Sequence, residues 1–281
     1  MDSAKHCPED RAGPQRLLLA VLLLCTLATA ATAGTEEGVA AFKTGDYEKA
    51  FEELKPAAEE GDKDAQYYLG SMYAQGFGVE QDLGEARRFL AHSSKAGHTA
   101  ATVSLGYIYS NGMGGPKNKG KAVKLYRKAA EAGDPVAQRN LGLMYQEGEG
   151  VERDYEKAGE WLRRAGEQGD AVAKREWAHL LWMGYGPLPR QRREALSWMR
   201  RAANQDDAEA QYLLCSYLES LHGQGSDRLV EAFKWCKLSA DQGYPGGEQG
   251  WESATRWFIS EEQKAEAARR AERWAARNRE E

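Results

Sequence analysis

The chain has 281 residues and a net charge of −5, from 38 Lys and Arg against 43 Asp and Glu. It is 42% hydrophobic and 29% charged, which excludes a disordered chain and a multi-span membrane protein. The acidic balance disfavours binding to nucleic acid, because such binding needs a basic face to neutralise phosphates. Four Cys are too few for a scaffold built on disulfides. We therefore expect one or two folded domains and no nucleic-acid partner.

Residues 1–33 have the features of a signal peptide. Three cations precede an apolar run from Leu17 to Leu27, and small residues continue to Ala33. This order is typical of an export signal, here cleaved after Ala33. The apolar stretch is shorter than the roughly 20 residues that a membrane-spanning helix needs. We therefore expect export to the periplasm or the medium and no stable membrane span, with an uncleaved signal anchor as the alternative.

Small residues recur every 36 or 37 positions along the rest of the chain, which indicates internal repeats. One series is Ala50, Ala86, Ala122, Ala158, Ala195 and Ala232. A second series is Gly61, Gly97, Gly133, Gly169, Asp206 and Gly243. A third series is Ala65, Ala101, Ala137, Ala173 and Ala210.

Each repeat predicts two helices. After Ala65, small and apolar residues follow the spacing of one helix face. A Gly-x-Gly turn comes next, and Asp82 caps a second helix. The Gly61 series supplies a left-handed residue where each second helix ends. A helix pair cannot bury its apolar face alone, so we expect an all-α fold, an α-solenoid of stacked pairs.

The repeat follows the pattern Ala-x-x-x-Leu-Gly-x-x-Tyr-x-x-Gly-x-Gly-Val-x-x-Asp-x-x-x-Ala, which is complete at Ala65 to Ala86 and at Ala137 to Ala158. This pattern resembles the Sel1-like repeat (SLR), a relative of the tetratricopeptide repeat. The resemblance implies a right-handed solenoid over residues 34–259, with about six helix pairs and a partial one, that binds other proteins. Repeats five and six depart from the pattern, because Trp177-Ala178 and Leu214-Cys215 replace Leu-Gly.

Residues 260–281 predict a C-terminal capping helix. Ser260 and Gln263 have the spacing of a capping box. Trp274 and a stripe of Ala would face the core, while the charges on the other side balance. A polar closing helix keeps the end of a solenoid soluble. A helix that binds a partner is the alternative.

The sequence carries no complete motif for catalysis, cofactor binding or metal binding. It lacks His-Glu-x-x-His, Ser-x-x-Lys and Gly-x-Ser-x-Gly. Gly115 to Lys121 matches seven positions of a phosphate-binding loop, but Ala122 stands where Ser or Thr is required. We therefore predict a protein that is not an enzyme and has no catalytic, cofactor or metal site.

Cys215 and Cys236 are the two cysteines that remain after cleavage. Cys215 takes the small-residue position of a first helix, and Cys236 follows Ala232 by four residues on the facing second helix. An oxidising compartment would permit a disulfide between them. Two buried free thiols are the alternative.

In tetratricopeptide-like arrays the first helices line a concave groove, and Arg and aromatic residues there are typical of binding hot spots. If that register holds, the candidate groove residues are Tyr67, Tyr107, Arg139, Gln146, Arg175, His179, Trp182 and Tyr212. Packing of Trp182 and Met183 against the Pro-containing turn of repeat five is the alternative. One position of successive second helices holds Trp161, Trp198 and Trp235. This spacing predicts that the three tryptophans belong to the core.

Repeat five also carries a cluster of cations. They are Arg190, Arg192, Arg193, Arg200 and Arg201. We interpret them as one basic patch that binds an acidic protein, an anionic glycan or a lipid head group. Ordinary solvated surface is the alternative.

These features predict an exported, non-enzymatic scaffold that binds a protein partner in its groove, with a regulatory role in the cell envelope. The sequence leaves the partner's identity and the oligomeric state open. One alternative is an envelope enzyme or ligand-binding protein that acts on cell-wall or exported glycan. Another is a structural subunit of an envelope assembly.

Overall fold

The computed structural model describes residues 34–221, 226–257 and 260–280, and the predicted signal peptide lies outside this range. The described residues form fourteen helices and no strand. The helices are α1 (34–44), α2 (Tyr47–Glu60), α3 (Lys63–Gln75), α4 (Leu83–Lys95), α5 (Thr99–Asn111), α6 (Lys119–Glu131), α7 (Pro135–Glu147), α8 (Tyr155–Glu167), α9 (Ala171–Met183), α10 (Arg192–Ala203), α11 (Ala208–Glu219), α12 (Ser226–Asp241), α13 (Pro245–Trp257) and α14 (Glu261–Glu280).

The chain divides into two compact units, residues 1–118 and 119–281. In the first unit, α2 packs on α3, α3 on α4 and α4 on α5. In the second unit, α6 to α13 do the same, and α14 packs mainly on α12. This sequential packing is that of an α-solenoid, so the predicted fold class is confirmed. Among the described helices, none combines the length and apolarity needed to cross a membrane.

Close approach of the two helices in a repeat is made possible by glycine. A Cβ added to Gly142 in α7 would lie 2.7 Å from Cγ of Leu162 in α8. In the first unit, a Cβ on Gly70 would lie 2.9 Å from Cγ of Leu90. Both leucines are buried. The small residues of the repeat therefore let a leucine of the second helix pack directly on the backbone of the first.

The Gly-x-Gly turn ends the first helix and packs on the preceding repeat. Gly148 has a φ of 73°, and its N–H donates to the carbonyl of Met144. Gly150 has a φ of 71°, and a Cβ there would lie 2.5 Å from the carbonyl carbon of Lys119 in α6. A left-handed backbone in close contact with another backbone accepts only glycine without strain.

The C-terminal helix begins with the predicted capping box. The backbone N–H of Ser260 donates to Oε1 of Gln263 at 2.9 Å, and the N–H of Gln263 donates to Oγ of Ser260 at 3.2 Å. Ala267 and Ala271 are buried. The Trp274 ring meets the Trp235 ring edge-on, with centroids 5.6 Å apart. The polar helix α14 thus covers the apolar side of α12.

The prediction that three second-helix tryptophans belong to the core is right for two of them. Trp198 and Trp235 are buried, and their Nε1 groups donate to the glutamates one turn earlier. Trp161 stays partly exposed, with the Arg164 guanidinium 4.8 Å from its ring centroid. The position one turn before Trp161 holds Lys157, which offers no acceptor.

Repeat five accommodates an enlarged core residue. Trp177 is buried at the register position that holds Leu69, Leu105, Leu141 and Leu214 in other repeats. A Cβ on Gly159 in α8 would lie 2.5 Å from Cζ3 of Trp177. The indole therefore occupies the space that the missing side chain of Gly159 leaves.

Helix α5 differs from the other capped first helices in its N-cap. Asp62, Asp134, Asp170 and Asp207 cap their helices, whereas Nδ1 of His98 accepts from the N–H of Ala101 at 3.1 Å. The His98 ring stacks on Tyr67, and its Nε2 lies 3.4 Å from a carboxylate oxygen of Asp64. Burial lowers the pKa of His98 from its usual 6.5, although Asp64 opposes this.

We expect the free energy of unfolding to fall as the pH drops below about 6.5. The unfolded chain binds a proton at His98 more readily than the folded chain, so stability rises with pH in this window. Protonation also removes the acceptor that caps α5. His98→Asn keeps an acceptor at every pH. Urea midpoints measured between pH 5 and 7 should show a flatter profile for this variant, and equal slopes would contradict the assignment.

Gly159→Ala should lower the free energy of unfolding by about 1–3 kcal/mol, because the new methyl group overlaps the Trp177 ring. The matched background is Trp177→Leu, which restores the residue of the other repeats. There the same Gly159→Ala change should be neutral or stabilising by up to about 1 kcal/mol, since Ala is the better helix former. Urea denaturation of the four proteins tests this, and an equal cost in both backgrounds would contradict it.

Candidate functional site

Packing leaves one stripe of each first helix at least partly exposed, and we call these stripes the first-helix face. In α9 the stripe consists of residues 172, 175, 176, 179, 182 and 183, which follow the spacing of one helix face. Tyr67 and Tyr107 lie on the corresponding stripes of α3 and α5 in the first unit. The other six candidate groove residues lie on α7, α9 and α11 in the second unit. The register therefore places all eight candidates on this face.

In the first unit, the two candidates differ in accessibility. Tyr107 is 55% exposed. Tyr67 is partly buried, because its ring stacks on His98 with centroids 4.5 Å apart and meets Tyr68 edge-on. Tyr67 thus contributes to the packing of α3 against the start of α5, and Tyr107 is the open aromatic side chain.

The two candidate arginines, Arg139 and Arg175, each clamp neighbouring first helices in the second unit. Arg139 in α7 forms an ion pair with Asp170 at 2.7 Å. Nη1 of Arg175 in α9 donates to both carboxylate oxygens of Asp207, at 2.8 and 2.9 Å. Asp170 and Asp207 are also the N-caps of α9 and α11. Each arginine therefore ties its helix to the beginning of the next first helix.

Arg175 is surrounded by further carboxylates. Its Nη2 lies 3.2 Å from Glu176 and 3.0 Å from Glu209. Burial disfavours the charged guanidinium, but Asp207, Glu176 and Glu209 together raise the pKa of Arg175. One cation facing three anions leaves this part of the face acidic.

Trp182 lies in a stack of three side chains. Its ring is nearly parallel to that of Tyr217 in α11, with centroids 4.2 Å apart. The Arg192 guanidinium lies 5.3 Å from the centroid of Trp182. His179 Nδ1 and the Tyr217 hydroxyl are 2.6 Å apart. Trp182 is thus engaged in contacts within the protein.

Tyr217 is central to this cluster, and the sequence analysis did not select it. It stands at the register position of Met72, Ile108, Met144 and Leu180, and this polar departure was the available signal. Burial, with contributions from Glu176 and Tyr185, raises the pKa of the Tyr217 phenol well above its usual value. The hydroxyl therefore stays protonated and holds His179 in place.

The two remaining candidates also contact residues later in the chain. Nε2 of Gln146 donates to Glu176 at 3.2 Å, while its buried Oε1 has no hydrogen-bond partner among the described residues. The ring centroids of Tyr212 and Tyr244 are 5.6 Å apart. Gln146 thus contacts the next first helix, α9, and Tyr212 contacts the residue that precedes α13.

Among the described residues, three large hydrophobic side chains are exposed. Tyr107 is 55% exposed, Met183 39% and Val136 38%. They lie on α5, α9 and α7, which are all first helices. The first-helix face is therefore where the protein leaves its large apolar side chains open to solvent.

Cys215 and Cys236 are joined by a disulfide bond, with Cα atoms 5.5 Å apart. Both residues are buried. They occupy the register positions of Gly142 and Leu162, the pair that makes the close helix contact in repeat four. In repeat six, a covalent bond between α11 and α12 replaces that contact.

The five arginines of the predicted basic patch lie at and before the two ends of α10. Arg192 and Arg193 begin α10, while Arg200 and Arg201 lie in its last turn. The helix rise separates these groups by about 12 Å. Arg190 donates to the carbonyl of Met183 near the first group, and Arg201 lies over the Trp198 ring in the second. The basic patch therefore stays a prediction, with its arginines distributed over both ends of α10.

Six copies of the Sel1 repeat match the chain, at residues 34–62, 63–98, 99–134, 135–170, 171–207 and 208–244. Each copy covers one helix pair, from α1–α2 to α11–α12. This chain belongs to the Sel1 repeat family. Sel1 repeat proteins typically mediate protein–protein interactions as non-enzymatic scaffolds.

Two solved structures with Sel1-like folds are similar to this Sel1 repeat protein. One is a protective antigen present in uropathogenic Escherichia coli strains, which displays an SLR fold, with 27% identity and a TM-score of 0.75 over 90% of this chain. The chain spans 55% of that antigen's length. The other is a Sel1 repeat protein from Oxalobacter formigenes, with 27% identity and a TM-score of 0.72, covering 85% of this chain and 96% of that one. No curated protein sequence matches the chain.

Arg175→Met should lower the free energy of unfolding by about 2 kcal/mol or more, because Asp207, Glu176 and Glu209 lose their common cation in a partly buried site. Arg163→Met is the matched control, since Arg163 pairs with Glu167 on an exposed helix surface. That change should cost less than about 0.5 kcal/mol. Urea denaturation of both variants is the measurement, and similar midpoints would contradict the clamp.

Proposed function

We propose that this Sel1 repeat protein is an exported scaffold that binds a protein partner on its first-helix face and catalyses no reaction. The observation that carries the proposal is the location of the exposed apolar side chains. Tyr107, Val136 and Met183 all lie on first helices, in a chain with 29% charged residues. Exposed apolar and aromatic side chains beside polar ones are typical of interaction sites.

The clamps on the second unit support binding by a rigid surface. Arg139 and Arg175 each fix the beginning of the next first helix, and Trp182 stacks across to α11. A surface whose side chains are already ordered loses less conformational entropy when it binds. The charged residues of the face thus set the spacing of the helices, while Val136, Leu143 and Met183 supply contact area.

Export is supported by the signal-like composition of residues 1–33 and by the disulfide between Cys215 and Cys236. Disulfides persist mainly in oxidising compartments such as the periplasm or the extracellular space. A scaffold outside the cytoplasm would meet partners in the cell envelope or the medium.

A scaffold is also supported by how the polar groups of the second unit are used. His179 bonds to Tyr217, and Arg175 is saturated by carboxylates. These groups bind one another across repeats. This arrangement suits the positioning of helices, whereas a general acid or base must reach a substrate atom.

The test is site-specific photo-crosslinking in the native host, with the crosslinking residue in place of Met183 or, separately, of Tyr107. A control chain carries it in place of Glu160, which is exposed on the second helix α8. We expect a discrete protein adduct from Met183 and none from Glu160, because the partner contacts first helices. The adduct's partner is identified by mass spectrometry.

Two crosslinking results would contradict binding on the first-helix face. Folded chains that give no adduct from either Met183 or Tyr107 would overturn binding on the first-helix face. Adducts of equal yield from Glu160 would indicate contact without a preferred face. Cell fractionation of the same strains tests export separately, since an exported protein leaves the cytoplasmic fraction whether or not it binds.

A further inference from the structure

The disulfide of repeat six lies beside a third side chain that can bind a metal. Glu219 follows Cys215 by four residues in α11, so both lie on the same helix face, one turn apart. Cys236 faces them from α12. One donor atom from each of these three residues lies within 4.8 Å of the other two. Two ligands one turn apart on a helix and a third from the facing helix form a compact donor set.

The carboxylate of Glu219 is not fully hydrogen-bonded in this position. Its Oε1 atom is buried and has no hydrogen-bond partner among the described residues. Burial raises the pKa of Glu219. A buried acceptor without a partner costs about 1–3 kcal/mol. A bound cation would satisfy this oxygen.

The backbone of α13 packs closely on the sulfur of Cys236. Gly250 in α13 lies so close to Cys236 that a Cβ there would collide with Sγ. A residue with a side chain at position 250 would occupy the space beside the sulfur. Glycine at position 250 thus lets α13 pack directly on the sulfur of Cys236.

We propose that, when the disulfide is reduced, Cys215, Cys236 and Glu219 bind one zinc ion. Two thiolates and a carboxylate are a donor set that Zn²⁺ accepts in tetrahedral geometry, with water in the fourth position. Donor atoms about 2.0–2.3 Å from such an ion lie less than about 4 Å from one another. Zinc binding therefore requires the two sulfurs to separate after the S–S bond is broken and the Glu219 oxygen to approach both.

The chemistry balances with a phosphine as the reductant. The phosphine supplies two electrons, the S–S bond breaks, and each sulfur takes up one proton. The phosphine becomes a phosphine oxide with an oxygen atom from water. Zinc then displaces the two thiol protons to solvent and does not change its oxidation state. The Cys215–Cys236 pair therefore joins α11 to α12 in two exclusive ways, through a sulfur–sulfur bond or through a metal.

The experiment uses the full chain with Cys7→Ser and Cys25→Ser, so that Cys215 and Cys236 are its only cysteines. Co²⁺ serves as the spectroscopic probe, because thiolate ligands give it a charge-transfer absorption. Phosphine-reduced protein should bind one Co²⁺ with this absorption, and one equivalent of Zn²⁺ should abolish it. The oxidised protein should show no such absorption.

Two variants assign the ligands. Cys215→Ser with Cys236→Ser should eliminate the charge-transfer band. Glu219→Gln should weaken Co²⁺ binding by about tenfold or more. Loss of a residue that only hydrogen-bonds to a metal ligand already lowers metal affinity by that much. Gln retains the size of the side chain and loses the negative charge.

The proposal is overturned if the reduced protein gives no charge-transfer band, whatever its helicity by circular dichroism. It is also overturned if Glu219→Gln binds Co²⁺ as tightly as the parent chain. If reduction unfolds repeat six and Co²⁺ restores its helicity in a manner that depends on Glu219, the site is supported.

Discussion

The close contact between the backbone of a first helix and a side chain of its second helix is the constraint on which each repeat depends. Gly142 and Leu162 show it most clearly, since no side chain fits between them. This contact fixes how near the two helices lie. Their separation then sets where the Gly-x-Gly turn must reverse the chain and where Gly150 meets the preceding repeat.

Much of this was predictable from sequence because it is local. The Asp caps, the left-handed glycines and the capping box at Ser260 each involve residues within a few positions of one another. The register of the first-helix face followed from periodicity in the same way. Periodicity also exposed the departures at Trp177 and Cys215, because they interrupt a series that the other repeats keep.

What the sequence did not predict depends on partners one repeat away. Trp182 is covered by Tyr217, which lies 35 positions later in the chain and was not selected. Arg175 faces the carboxylates of Asp207 and Glu209, at the N-cap and in the first turn of the next first helix. Side-chain pairing between repeats needs three-dimensional positions, and a linear pattern supplies only residue types.

The exchange of glycine and leucine for two cysteines in one repeat has a consequence for how such arrays diversify. The two positions recur in every repeat, and the first helix of repeat six keeps the Asp N-cap of repeats two, four and five. A repeat that carries the cysteine pair can therefore be recombined with a repeat that carries glycine and leucine, without a change in how it joins its neighbours. A disulfide between the two helices then becomes a property of a single repeat. Two codon changes add or remove it, and the fold of the array stays the same.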